Sequence, residues 1–139
     1  MAAETPTDRE LEALKILWDR GEVTVRDLAD AMNAGTPKSE DLAYTTVLSL
    51  LQVMEQKGLV GHRREGKAYV YFPLVKRQST IRRLAGGFLE KVFDGAIDEY
   101  VVHALESKRL SAAELDQLDA MLAAARERSA KQNRKGGRK

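Results

Sequence analysis

Between Asp41 and Lys76 the hydrophobic periodicity changes once, and the change falls on a Lys-Gly step. Val47, Leu50, Leu51 and Met54 follow helical spacing and line one face. The opposite face carries Thr45, Ser49, Gln52 and Gln56, short uncharged side chains that both donate and accept hydrogen bonds, a composition suited to reading base edges. Lys57-Gly58 predicts the helix end, with a cation in the last turn and a glycine cap. Leu59-Val60 then leads into His62-Arg63-Arg64, Glu65-Gly66 makes a turn, and Ala68 to Phe72 supplies a β-branched and aromatic run closed by Pro73. A helix followed at once by a basic hairpin is the winged-helix pattern. It would place the helix in the major groove and the hairpin tip on neighbouring phosphates or in the minor groove.

With 139 residues, the chain can bury one modest core plus a smaller appendage. No apolar run is long enough to span a bilayer and no charged-then-apolar leader precedes residue 7, so a soluble, cytoplasmic protein is expected, with no membrane partner. The absence of cysteine excludes disulfides and thiolate metal sites. His62 and His103 stand far apart, and no metal or other cofactor is expected. There is no glycine-rich phosphate loop and no nucleophile with a matching base, so the chain is not read as an enzyme.

The net charge of +2 conceals a segregation. Residues 1–56 and 84–125 carry −6 and −5, whereas residues 57–83 and 126–139 carry +7 and +6. A basic stripe on an acidic body suits docking to a polyanion, because phosphate contacts supply most non-specific affinity for nucleic acid.

Along the chain, residues 1–6 are expected to be disordered. Thr7 to Glu10 fits a capping box opening a first helix with Leu11, Leu14, Leu17 and Trp18 on one side, and Gly21 ends it. Val23 predicts a short strand against the wing. Thr24 caps a second helix with Val25, Leu28, Ala29 and Met32 buried, and residues 34–40 read as a loop. After the wing, Ile81, Leu84, Ala85, Phe88, Leu89 and Val92 predict a long helix, with a kink or close helix crossing at Gly86-Gly87. A segment with Ile97, Val101, Val102 and Leu105 follows, and Ser111 to Glu114 is a further capping box. The fold class is therefore mainly α with a small β-hairpin wing. A winged helix-turn-helix domain is expected over 7–75, a helical dimerisation domain over 76–125 and a basic disordered tail over 126–139.

The candidate DNA-binding residues are Tyr44, Thr45, Thr46, Ser49 and Gln52 on the helix, and Arg63, Arg64 and Lys67 on the wing. Tyr44 would meet a phosphate at the helix start. The C-terminal helices have little of their own domain to bury against. Their apolar residues Ile81, Leu84, Phe88, Val101, Leu105, Leu115, Leu118 and Leu122 are expected to meet a second copy in a twofold homodimer. The competing function is a winged-helix module that binds another protein, with the polar stripe as an ordinary solvated face.

The succession TDRELEALKILW (Thr7–Trp18), AYTTVLSLLQVMEQKGLV, GKAYVYFPLV and LSAAELDQL resembles the penicillinase-repressor (BlaI/MecI/CopY) family of transcriptional repressors, over about Thr7 to Ala125. Tyr44-Thr45-Thr46-Val47 together with Lys57-Gly58-Leu59-Val60 carries the resemblance most specifically. It implies a homodimer that binds inverted-repeat double-stranded operators of the TACA/TGTA type and blocks transcription. In antibiotic-response members it further implies an upstream membrane-bound sensor whose signal ends in cleavage of the repressor. Three features depart from the family pattern. Val53 stands where an arginine is frequent, His103-Ala104 replaces the Asn-Phe cleavage pair, and the cysteines of the copper-responsive branch are absent.

Overall fold

The computed structural model describes residues 4–136. Six helices and a small sheet follow one another as α1 (Asp8–Arg20), β1 (Val23–Thr24), α2 (Val25–Asn33), α3 (Tyr44–Gln56), β2 (Val60–Glu65), β3 (Ala68–Pro73), α4 (Arg77–Phe93), α5 (Ile97–Ser107) and α6 (Ala112–Gly136). A single 3-10 turn at Lys38–Glu40 interrupts the loop between α2 and α3.

The local signals act as their chemistry dictates. Thr7 and Glu10 form the reciprocal capping box of α1, and the Thr24 hydroxyl accepts from the Asp27 amide at 3.1 Å to start α2. Gly58, at φ +82°, ends α3 in a Schellman motif: its amide donates to the Glu55 carbonyl and the Leu59 amide to that of Met54, both at 3.0 Å. The wing turns through Gly66-Lys67, and Gly66 at φ +59° supplies the backbone conformation that a two-residue hairpin loop needs.

The three strands form one antiparallel sheet in the order β1-β3-β2, so β1 at Val23 does pair with the wing. Leu14, Leu17, Val25, Leu28, Met32, Val47, Leu51, Met54, Leu59, Val60 and Tyr71 make the core of this winged helix-turn-helix. Trp18 is half-buried against it, and its indole N–H donates to the Val75 carbonyl at 2.9 Å, tying α1 to the exit of β3.

Two compact units divide the chain at Phe88/Leu89, inside α4. The first turns of α4 stay with the N-terminal unit because Thr80 is buried and Ile81 and Leu84 are half-buried. The helix runs through Gly86-Gly87 without a break, and a Cβ at either glycine would meet nothing within 4 Å, so among the described residues no close crossing is made there. In the C-terminal unit α4 stops at Asp94-Gly95, the Phe93 ring lies tilted against those of Tyr100 and His103 with centroids 5.6 and 5.7 Å away, and Ser111 and Glu114 form the expected capping box of α6.

Two expectations are corrected. Within the described part of residues 1–6, the Glu4 amide donates to the Lys57 carbonyl at 3.1 Å and Pro6 is buried, so this stretch is held rather than frayed; residues 1–3 lie outside the described residues. The stretch from residue 126 is helical as far as Gly136. Ala, Arg, Glu, Lys and Gln are strong helix formers, and extending an existing helix needs no new nucleus. Residues 137–139 lie outside the described residues.

Candidate nucleic-acid interface

The amphipathic pattern of α3 becomes a buried face of Val47, Leu51 and Met54 and an exposed one of Thr45, Thr46, Ser49, Gln52 and Gln56. Tyr44 is also exposed, at the first turn. The N-cap is Ala43, which has no polar side chain, so the first amides of α3 have no side-chain acceptor. That end carries the positive pole of the helix and suits an anion. Thr45 is therefore not spent as the cap.

Both ends of α3 are fixed by long-range contacts that periodicity could not reveal. At the N-terminal side, the Asn33 side chain donates to the Leu42 carbonyl at 3.0 Å and accepts from the Leu42 amide at 2.8 Å, clamping the entry to the helix against the end of α2. At the C-terminal side, Lys57 Nζ lies 2.8 Å from Glu10 Oε1, and the Glu10 side chain is only 3% exposed. Burial pushes the Glu10 carboxyl up, but the Lys57 ammonium and the Thr7 donors outweigh it and hold the group below its usual range.

The wing presents two faces. Directly opposed residues share a face of an antiparallel pair, and His62 opposes Tyr71 while Arg64 opposes Tyr69. This face turns toward α3: Tyr71 is in the core, and His62 Nδ1 lies 2.6 Å from Glu55 Oε1. Burial pushes the Tyr71 hydroxyl pKa up, and the Glu55 carboxylate adds to the rise. The Arg64 guanidinium lies 5.7 Å from the Tyr69 ring centroid and its Nε donates to the Gly66 carbonyl. A groove of about 530 Å³ between α3 and the wing is lined by Gln52, Glu55, Gln56, His62, Tyr69 and Tyr71, with Leu48 beneath. A second, of about 470 Å³, brings Tyr44 and Lys67 together with Tyr69 and Arg26. Sequence reading passed over Arg26, an exposed cation in the first turn of α2; only its place in the helix-turn-helix could have singled it out.

Arg63 points the other way. It opposes Val70, and its two terminal nitrogens reach the Glu22 carboxylate at 2.6 and 2.7 Å, with Glu65 at 3.5 Å. The hydrogen bonds to Arg63 hold the Glu22 carboxyl below its usual range, and those to Glu22 raise the already high pKa of the guanidinium.

Of the predicted dimerisation residues, Ile81 and Leu84 are half-buried in the N-terminal unit, whereas Phe88, Val101, Leu105, Leu115, Leu118 and Leu122 are exposed. Among the described residues, no side chain of α5 is buried.

The family model for the penicillinase repressor matches residues 6–124. The chain belongs to the penicillinase repressor family. Its relatives in that family include the Transcriptional regulator BlaI of Mycobacterium tuberculosis, 36% identical over 118 residues that cover 84% of this chain and 81% of the relative. The Penicillinase repressor of Bacillus licheniformis is 26% identical over 112 residues, covering 81% and 84%. The Methicillin resistance regulatory protein MecI of Staphylococcus aureus is 21% identical over 109 residues, covering 78% and 85%. Among solved structures, B. licheniformis BlaI in its monomeric form with the blaP half-operator matches 55% of this chain and 89% of that one, at 22% identity and a TM-score of 0.45. Membership of the penicillinase repressor family makes this chain a transcriptional repressor and not an enzyme.

Proposed function

We propose that this repressor acts as a homodimer on an inverted-repeat DNA operator, with one α3 in the major groove of each half-site. The observation that carries this reading is the exposed, uncharged stripe Thr45, Thr46, Ser49 and Gln52 on a helix clamped at both ends beside a basic wing. Side chains of this kind match base-edge donors and acceptors, and a rigid helix holds them in register. Tyr44 and the uncapped amides at the start of α3 meet one phosphate, and Arg64 and Lys67 meet others. The exposed apolar residues Val101, Leu105, Leu115, Leu118 and Leu122 support a second copy as the dimer partner. The site of action is the cytoplasm, and among the described residues no helix is long and apolar enough to cross a membrane.

Upstream control by a sensor protease follows only from family resemblance. His103 and Ala104, at the place of the family's cleavage pair, lie inside α5, so a protease working there must first unwind that helix.

The test is fluorescence anisotropy of the protein on a labelled TACA/TGTA inverted repeat and on a scrambled duplex, across a salt series. A preference of roughly a thousandfold or more for the operator is the expected result. Equal affinity for both duplexes would reject sequence-specific repression at such a site, and absence of binding would reject DNA as the partner.

A further inference from the structure

The two adjacent arginines of the wing have opposite surroundings, although sequence alone groups both as DNA contacts. Arg64 lies on the face that turns toward α3, over Tyr69, and among the described residues it has no acidic partner. Arg63 lies on the other face, facing two carboxylates, Glu22 and Glu65. The sheet order is β1-β3-β2, with Arg63 on β2 and Glu22 immediately before β1. The Arg63–Glu22 fork therefore passes across the central strand at the level of Val70, which pairs with Arg63 on one side and with Thr24 on the other. Val70 is 4% exposed but lies outside the core cluster on the α3 side of the sheet.

From this geometry we infer that Arg63 is a positioning residue, a strap that with Glu22 binds the two edge strands of the wing sheet, and that Arg64 and Lys67 are the wing's phosphate-contacting cations. The inference rests on the operator-binding reading above for its second half only. An exposed ion pair with one hydrogen bond adds little to stability, but a bidentate guanidinium–carboxylate fork fixes direction as well as distance. The local balance also opposes a phosphate at Arg63, since one cation faces two carboxylates there. Recruiting Arg63 to DNA would break both hydrogen bonds and leave Glu22 unpaired beside the polyanion. Arg64 and Lys67 require neither step.

The experiment compares Arg63→Gln, Glu22→Gln and Arg64→Gln in the full chain by two measurements. Amide hydrogen exchange of the free protein reads the strap without DNA, and the slope of log affinity against log salt on the operator counts phosphates neutralised. Arg63→Gln and Glu22→Gln are expected to speed exchange at Val23 and Val70 several-fold, and Arg63→Gln to leave the salt slope as in the wild type. Arg64→Gln is expected to leave exchange unchanged and to lower the slope by about 2, one phosphate for each protomer of the dimer. Arg63→Gln lowering the slope as Arg64→Gln does, or exchange in Arg63→Gln matching the wild type, would overturn the inference. If the wild type itself shows no salt-sensitive DNA binding, the repressor reading fails, while the exchange measurement still decides the strap.

Discussion

Val53 is 45% exposed at the edge of the otherwise polar reading stripe of α3, beside Thr46 and Ser49. An apolar side chain there can meet a thymine methyl group but no hydrogen-bonding edge. Val53→Ala is expected to fold normally and to lose roughly 1 kcal/mol of discrimination at a single base pair. An affinity panel with each operator position substituted in turn would locate that position, and an unchanged panel would remove Val53 from the interface. Glu10 makes a prediction about pH. Its folded pKa lies below the ordinary 4.5, so its contribution to stability is complete above about 4.5 and is lost as pH falls through the lowered folded value. Urea titrations between pH 3 and 6 should show this loss in the wild type and a flatter profile in Glu10→Gln. The capping role of Glu10 is legible in Thr7-Asp8-Arg9-Glu10, because capping is local. Its pairing with Lys57 is not, because 47 residues separate them and only the folded core brings them together.

At the scale of elements, α3 depends on its clamps more than on its own propensity. Asn33→Ala removes both hydrogen bonds to Leu42 and is expected to cost about 1–2 kcal/mol of stability. Operator affinity should fall by more than this cost explains, as measured by anisotropy under conditions where the variant is fully folded. A proportionate fall would make the clamp merely structural. Leu51→Ala, at a fully buried position on the other face of α3, is expected to cost about 2–5 kcal/mol by denaturant titration without touching the reading stripe. Helix existence and the buried face of α3 were readable from spacing, because burial imposes the 3.6-residue period. The division between Arg63 and Arg64 was not. Alternation says that neighbours face opposite ways, but not which face meets α3 and which meets Glu22.

For the whole molecule, the closed core and most of the exposed apolar residues belong to different units. The N-terminal unit has a closed core, while α5 and α6 carry exposed Val101, Leu105, Leu118 and Leu122. Leu118→Asp with Leu122→Asp is expected to yield monomers in sedimentation velocity and to weaken binding to a two-half-site operator far more than to a half-site. An intact dimer in that variant would move the interface elsewhere on the chain. The helical character of α5 and α6 was legible, because each has its own periodicity. The helical state of residues 126–136 was not, since composition alone suggested a solvated coil and continuation of α6 overrides that local cue. The fork between Glu22 and Arg63 also has an evolutionary consequence. A lineage that replaced Glu22 with a neutral residue would release a second wing arginine toward solvent, and one that replaced Arg63 would leave two acids near the wing. Descendants of this protein should therefore change the two positions together, and their pairwise co-variation should exceed that of Arg64 with any acidic residue.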